Sequence, residues 1–167
     1  MITLESPRLR LRPFTEADFD AYAVMSADPE VMRYIADGST LDRETAWRQI
    51  AMFLGHWSLR GYGLFALEPK AGGAMIGFAK LWHPKGWPGV EFGWRLARAA
   101  WGHGYATEAA TVARDWAFGA LGLAHLVSVI DQANARSIAV AGRLGGAFER
   151  CMSGEDDHRL IYGYRRA

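Results

Sequence analysis

The spacing of apolar residues changes along the chain, and the change separates helical from extended segments. Between about residues 42 and 59, apolar side chains recur at the three-to-four-residue spacing of an amphipathic helix. A glycine-containing turn ends this pattern. Beyond it, short apolar runs bounded by glycine and proline predict three strands, at 64–68, 75–82 and 90–96.

Shorter elements lie on either side of this region. Residues 9–12 alternate apolar with basic side chains, which predicts a strand with one buried face. Short helices are predicted to begin near Thr15 and Asp28, where a side-chain oxygen can cap the first turn. The remaining predicted elements are a helix from Gly104 to about Leu121, a strand at 125–130, a helix from Asn134 to about Gly145, and strands at 147–152 and 159–165. This order predicts an α/β (α+β) sandwich around a mixed sheet.

Length and composition are those of a small globular protein. The 167 residues suit one domain, predicted to span 1–167, and half of them are apolar, enough for a core without disulfides. Cys151 is the only cysteine, so no internal disulfide can form. Residues 1–13 carry three arginines and no long apolar run, and no segment has the length of a membrane span. We therefore expect a cytoplasmic protein without a signal peptide.

Charge and histidine spacing exclude two further classes of partner. The formal net charge is +1, from 19 basic and 18 acidic residues, so we expect no electrostatic binding to nucleic acid or to an anionic membrane. His56, His83 and His125 show no ligand spacing with one another or with Cys151, which argues against a metal site.

The glycine turn at 101–107, where a predicted helix begins, has the most informative chemistry. Small residues there let a ligand approach the backbone closely, and the free N–H groups and dipole of a helix start favour an anion. The turn therefore suits a phosphate or pyrophosphate, although a glycine turn can also begin a helix without a ligand. A P-loop is excluded because no Gly-Lys-Ser/Thr sequence is present, and a dinucleotide fingerprint needs glycine in place of Thr107.

Four blocks of the sequence have the order and spacing of one known family. They are residues 3–12 (TLESPRLRLR), 91–96 (EFGWRL), 101–109 (WGHGYATEA), and 129–137 (VIDQANARS) with 143–145 (RLG). These blocks resemble the GNAT superfamily of N-acetyltransferases, and most closely its ribosomal-protein N-terminal acetyltransferase (RimJ/RimL-like) branch. The resemblance covers essentially the whole chain. It implies a mixed, mostly antiparallel central sheet with two splayed parallel strands, flanked by helices.

The resemblance also implies a co-substrate and its binding residues. The expected co-substrate is acetyl-CoA, without a metal ion, and the expected acceptor is a primary amine on a peptide N-terminus or a small molecule. The family's phosphate loop usually begins with a polar residue, here replaced by tryptophan, but backbone N–H groups do most of the binding. The implied cofactor-binding residues are Phe92, Gly93 and Trp94 on the central strand, Trp101, Gly102, His103, Gly104, Tyr105, Ala106 and Thr107 in the loop, and Asn134 and Ser137 on the later helix.

Two residues are candidates for moving protons. Glu91, on the central strand, is predicted to deprotonate the amine directly or through water, and the alternatives are a solvated edge carboxylate or an ion pair with an arginine. The family's usual tyrosine acid corresponds to Ala141, so Ser137, one turn after Asn134, is predicted to donate to the leaving thiolate. Asn134 is also a natural helix N-cap, and Ser137 can equally complete that cap.

The predicted function is direct acetyl transfer from acetyl-CoA to a primary amine in a ternary complex, by a monomer or a homodimer. Two alternatives remain open: a non-catalytic acyl-CoA-binding sensor of the same fold, favoured by the missing tyrosine, and a nucleotide-binding module. The acidic stretch Glu155-Asp156-Asp157, in a predicted hairpin loop, either attracts a cationic acceptor or is simply solvated.

Overall fold

The computed structural model describes residues 2–152 and 157–166, and over these two ranges it contains eight strands and five α-helices. The strands are β1 (Leu4–Glu5), β2 (Leu9–Pro13), β3 (Leu64–Pro69), β4 (Gly77–Trp82), β5 (Glu91–Leu96), β6 (His125–Asp131), β7 (Ala147–Cys151) and β8 (Arg159–Arg165). The helices are α1 (Phe19–Ser26), α2 (Pro29–Met32), α3 (Arg43–Arg60), α4 (Tyr105–Gly119) and α5 (Ala135–Arg143). Each predicted element is present with small shifts at its ends, and the structure adds the two-residue strand β1.

All eight strands form one continuous sheet, in the order β1-β2-β3-β4-β5-β6-β8-β7. Every neighbouring pair is antiparallel except β5 and β6, which confirms the predicted mixed, mostly antiparallel sheet. Strand β5 stays in register with β4 from Glu91 to Leu96, whereas it pairs with β6 only at Glu91 and Val127. Beyond that point the two parallel strands diverge.

Each face of the sheet is covered by a different set of helices. On one face, α4 presents Ala109, Ala110, Ala113 and Ala117, all fully buried, and these small side chains let the helix lie close to the sheet. Helix α5 joins the same core through Val140, Ala141 and Leu144. On the other face, α1 and α3 contribute to an aromatic cluster made of Phe14, Tyr22, Phe53 and Phe78.

The long helix α3 has ends that the sequence specifies. The Asp42 carboxylate accepts a hydrogen bond from the backbone N–H of Thr45 at 2.7 Å, which caps the first turn. Gly61 ends the helix in the left-handed conformation, with φ of 73°. None of the helices in the described ranges has the length and hydrophobicity needed to cross a membrane.

Candidate active site

A cleft opens where β5 and β6 diverge. Its volume, including the space open to solvent, is about 410 Å³. The lining residues come from both strands, from the start of α5, from the segment after α2 and from β4: Glu91, Phe92, Gly93, Trp94, Ser128, Val129, Ile130, Asp131, Asn134, Ser137, Tyr34, Ile35 and Lys80. The structure therefore brings together six of the residues that sequence analysis selected, from Glu91 to Trp94 and at Asn134 and Ser137.

The residues that line the cleft come from both faces of the sheet. On β5, Glu91 and Gly93 share a face with Lys80 of β4, because Lys80 pairs with Gly93 in the register. That is the face covered by α1 and α3. Phe92 belongs to the core on the opposite face, beneath α4 and α5. From this lining we infer one mouth near Glu91 and another near the start of α5.

A serine on β6 bridges the diverging strands. The buried Ser128 hydroxyl donates to the backbone carbonyl of Phe92, and its oxygen lies 3.0 Å from the hydroxyl oxygen of Tyr164 on β8. Burial raises the pKa of Tyr164 to about 12, so this phenol is neutral at physiological pH. Neither residue is among those selected from the sequence. The available signal was a serine inside the otherwise apolar run of 126–130.

Glu91 is buried and paired. Its side chain is only 6% exposed, and Oε1 lies 2.6 Å from the Nζ atom of Lys80. The alternative that Glu91 is a solvated edge carboxylate is therefore wrong. Glu91 does form an ion pair, but its partner is a lysine rather than an arginine. The pair lies at the mouth of the cleft that faces α1 and α3.

The start of α5 carries the predicted cap. The Asn134 side-chain oxygen accepts a hydrogen bond from the backbone N–H of Ser137 at 3.2 Å, which confirms Asn134 as the N-cap. Ser137 contributes its backbone to this cap, so its hydroxyl is not needed there. Ala141, one turn further on, is fully buried and has no polar group to offer.

The glycine turn lies at the start of α4, outside the cleft. Gly102 and Gly104 both have φ of 80°, a conformation that favours glycine. Among the described residues, no side chain caps α4, and a Cβ placed on Gly102 would have no neighbour within 4 Å. Free N–H groups and open space at a helix start are the features that suit a bound anion. The Trp101 indole N–H donates to the carbonyl of Leu96 at 3.0 Å and so ties the turn to the end of β5.

Two arginines that sequence analysis missed flank this turn. The Arg8 guanidinium lies 4.4 Å from the centre of the Tyr105 ring and forms a 2.6 Å ion pair with Glu108. The Arg136 guanidinium lies 4.6 Å from the centre of the Trp101 ring. Among the described residues Arg136 has no carboxylate within ion-pair distance, and it occupies the first turn of α5, where the helix dipole disfavours a cation. Arg136 thus links the glycine turn to the start of α5.

Three further predictions concern His103, a metal site and the acidic hairpin. His103 is exposed beside the Tyr105 ring, with 5.8 Å between ring centres. Within residues 2–152 and 157–166, no three His, Cys, Asp or Glu side chains are grouped as metal ligands would be. Glu155 and Asp156, two of the three predicted hairpin acids, lie outside the described residues. Asp157 forms a 2.6 Å ion pair with Arg159.

Comparison with known proteins gives a consistent result. Residues 8–147 match the family of acetyltransferase (GNAT) domains. The chain is 30% identical over 151 residues to FsC-acetyl coenzyme A-N(2)-transacetylase of Aspergillus fumigatus. The aligned region covers 86% of this chain and 64% of that protein. An acetyltransferase structure from Agrobacterium tumefaciens superposes with a TM-score of 0.89 at 35% identity, covering 99% of this chain and 95% of the other.

The fold also extends to the branch that the sequence blocks indicated. The structure of RimL, a ribosomal-protein alpha-N-acetyltransferase in complex with coenzyme A, has a TM-score of 0.83 and 17% identity, and the match covers 98% of both chains. At that identity the likeness is one of fold.

Proposed function

The chain belongs to the GNAT acetyltransferase family, and from this membership we propose that it transfers acetyl from acetyl-CoA directly to a primary amine, with both substrates bound at once. The observation that carries the proposal is the cleft whose lining comes from both faces of the sheet. Its two mouths allow acetyl-CoA to enter from the face of α4 and α5 while the amine enters from the opposite face. Neither substrate then has to leave before the other binds.

The residues around the glycine turn fit acetyl-CoA. When bound, this co-substrate supplies an activated acetyl thioester. The turn has two left-handed glycines, open space at Gly102 and an uncapped helix start, so the backbone N–H groups of 102–106 are available to a pyrophosphate. Arg136 adds a cation beside the turn. Phe92, Gly93, Trp94 and Asn134 would hold the pantetheine arm along the cleft.

Glu91 is the proposed general base. An amine attacks a thioester only in its neutral form, so a proton must leave the ammonium group that predominates at neutral pH. Glu91 is the carboxylate at the acceptor mouth, and it can take this proton directly or through one water molecule. Lys80 holds the carboxylate in place through their 2.6 Å contact.

Ser137 is the proposed donor to the leaving thiolate. Its side chain lines the cleft while its backbone N–H serves the cap, so the hydroxyl can serve another partner. A thiolate with a reference pKa of about 8.5 needs little help to be protonated. A single serine hydrogen bond is therefore sufficient, and the missing tyrosine at Ala141 does not prevent turnover.

The acceptor is either a peptide N-terminus or a small amine. The Aspergillus relative, by its name, is an N(2)-transacetylase that uses acetyl coenzyme A, and RimL, by its name, acetylates a ribosomal protein. Ala141 is the observation that favours the second candidate function, an acyl-CoA sensor without turnover, because it removes the usual acid.

Initial-rate kinetics test the proposal. We expect thiol release from acetyl-CoA only when an amine is added, a product heavier by one acetyl group, and intersecting double-reciprocal lines. Parallel lines would show that the acetyl group is first transferred to the enzyme. Binding of acetyl-CoA without thiol release across a broad panel of amines and peptides would favour the sensor.

A further inference from the structure

An arginine on β5 has two shielded guanidinium nitrogens and no carboxylate partner among the described residues on the acceptor face of the sheet. Arg95 shares this face with Glu91 and Gly93, because side chains alternate along the strand. The Nε and Nη1 atoms of Arg95 are shielded from solvent, and no group in the described residues accepts a hydrogen bond from them. The residue as a whole is partly exposed, although these two nitrogens are shielded.

The charges on this face do not balance. Lys80 and Glu91 neutralise each other through their 2.6 Å contact. Arg95 forms no ion pair with any described carboxylate, and its guanidinium lies 5.0 Å from the centre of the Phe78 ring. An aromatic face compensates a desolvated cation only in part. One positive charge therefore remains unpaired on the face where the amine is expected to enter.

The neighbouring polar groups are neutral and cannot supply the missing charge. Burial raises the pKa of Tyr22, which lies beside Arg95, so its hydroxyl is not ionised at physiological pH. The Tyr22 hydroxyl donates to the side-chain oxygen of Gln49. The fully buried hydroxyl of Ser26, also beside Tyr22, has no hydrogen-bond partner in the described residues. Arg95 and Ser26 thus lie close to the same neutral tyrosine, and neither Tyr22 nor Ser26 supplies a negative charge to Arg95.

We propose that Arg95 binds a carboxylate of the acceptor, and that the acceptors of this enzyme are amines that carry a carboxylate near the reacting nitrogen. This inference rests on the proposed function and narrows its substrate class. Gly93 lies between the base and the arginine, about 7 Å along the strand from Arg95. A Cβ at Gly93 would lie 2.7 Å from the Lys80 side chain, so the absence of a side chain there makes room for the Lys80 stem that reaches Glu91. A guanidinium suits a carboxylate because its planar donors match the carboxylate oxygens.

The carboxylate can belong to a free amino acid or to a peptide with an acidic first residue. Matched acceptors separate the two sources: each amino acid is compared with its amide, and peptides that begin with Asp are compared with peptides that begin with Asn, all amidated at the C-terminus. The amide of an amino acid has the less basic amine, so chemical reactivity alone favours the amide. A preference for the free acid must therefore come from binding.

The experiment measures kcat/KM for each acid and amide with the wild-type enzyme, Arg95→Gln, Arg95→Lys and the control Arg150→Gln, which alters an exposed arginine on β7. We expect the wild-type kcat/KM to be roughly 10-fold or more higher for the acid than for the amide, because only the acid can form charge-assisted hydrogen bonds with Arg95. Arg95→Gln should remove that preference while its rate with the amides stays near the wild-type rate. Arg95→Lys should restore part of the preference, and Arg150→Gln should keep all of it.

Three results would overturn the inference. The first is a wild-type enzyme that acetylates amides as well as acids. The second is an Arg95→Gln variant that folds but loses activity toward both forms equally, which is the behaviour of a packing residue. The third result comes from a separate measurement, used if Arg95→Gln does not fold or if no amine is acetylated. The unfolding temperature of the wild type is measured with N-acetyl amino acids and with the amides of the same compounds. Equal stabilisation by the two would contradict a carboxylate site, independently of whether the enzyme turns over.

Discussion

Ser128 and Phe92 form the hydrogen bond that spans the gap between the two parallel strands, from the side chain of one to the backbone carbonyl of the other. In a continuous parallel pair this carbonyl would have a backbone partner on the next strand. Here the strands have already begun to diverge after Glu91 and Val127. The serine thus satisfies a buried carbonyl while leaving room for the cleft beside it.

Replacing Ser128 should lower the free energy of unfolding more than replacing Tyr164, its second hydrogen-bond partner. Ser128→Ala leaves the Phe92 carbonyl and the Tyr164 hydroxyl without their contacts, and a buried unsatisfied group costs ~1–3 kcal/mol. Tyr164→Phe removes only the second contact and should cost ~0.5–1.5 kcal/mol. Urea unfolding of both variants measures the difference. Equal stability of Ser128→Ala and the wild type would show that the bridge contributes nothing.

A second stability prediction concerns His56, which is buried in its neutral form. Its Nδ1 atom lies 2.9 Å from the carbonyl of Tyr62, and its Nε2 atom accepts from the backbone N–H of His83 at 3.1 Å. Burial lowers the pKa of His56 below its ordinary value, because protonation would add a buried charge and remove the acceptor.

The direction of the pH effect follows from this lowered pKa. Below a pH of about 6.5 the unfolded chain binds a proton at His56 that the folded protein excludes, so stability falls as the pH decreases from there toward the folded-state pKa. We expect the wild type to lose more stability between pH 7 and pH 5.5 than His56→Gln, measured by urea unfolding at both pH values. Identical losses in the two proteins would remove His56 as the cause.

Glu91→Gln tests the proposed base. The variant keeps the size of the side chain but cannot accept a proton, so kcat should fall roughly 10²-fold or more if Glu91 is the only base. The acidic limb of the pH–rate profile should disappear with it. Ser137→Ala provides the comparison, because a thiolate needs little help and the expected loss is only about 10-fold. Full activity of Glu91→Gln with an unchanged profile would exclude this carboxylate from the mechanism.

The contrast between Glu91 and Arg95 shows how far sequence alone could reach. The apolar periodicity, the caps and the glycines give each element to within a few residues, because these signals are local. The resemblance adds the splayed strands and the positions of Glu91, Asn134 and Ser137 in the site. The ion pair of Glu91 with Lys80 and the unpaired Arg95 depend instead on the register of β4 against β5, and a shift by one residue would turn every side chain to the opposite face. No local pattern in the sequence specifies that register.

Replacing Gly104 tests whether the glycine turn binds the phosphates of acetyl-CoA, and replacing Gly122 is the matched control. Both residues have positive φ, 80° and 65° respectively, so a β-branched side chain is strained at either position. Gly104→Val should also block close approach to the first N–H groups of α4, and each hydrogen bond to a charged phosphate is worth ~1.5–3 kcal/mol. We expect calorimetry to show weaker acetyl-CoA binding for Gly104→Val alone, while both variants lose stability. Equal affinities would place the phosphate elsewhere.

Arg136 offers the sharpest separation of function from stability, because the two should change in opposite directions. Its guanidinium lies on Trp101 of the glycine turn but occupies the first turn of α5, where the positive end of the helix dipole repels a cation. Arg136→Gln should therefore raise the free energy of unfolding by ~0.3–1 kcal/mol through the helix dipole. Loss of the contact between Arg136 and Trp101 reduces this gain. The same change should weaken acetyl-CoA binding and reduce its dependence on salt, since an exposed cation acts on phosphate through a screened field.

The control for Arg136 lies at the other end of the same helix. Arg143 is in the last turn of α5, where the dipole favours a cation, so Arg143→Gln should lower stability slightly and leave acetyl-CoA affinity unchanged. The measurements are urea unfolding and calorimetric titration at low and high salt. If Arg136→Gln binds acetyl-CoA as tightly as the wild type at both salt concentrations, Arg136 serves only to hold Trp101, and its position at the helix start has no role in binding.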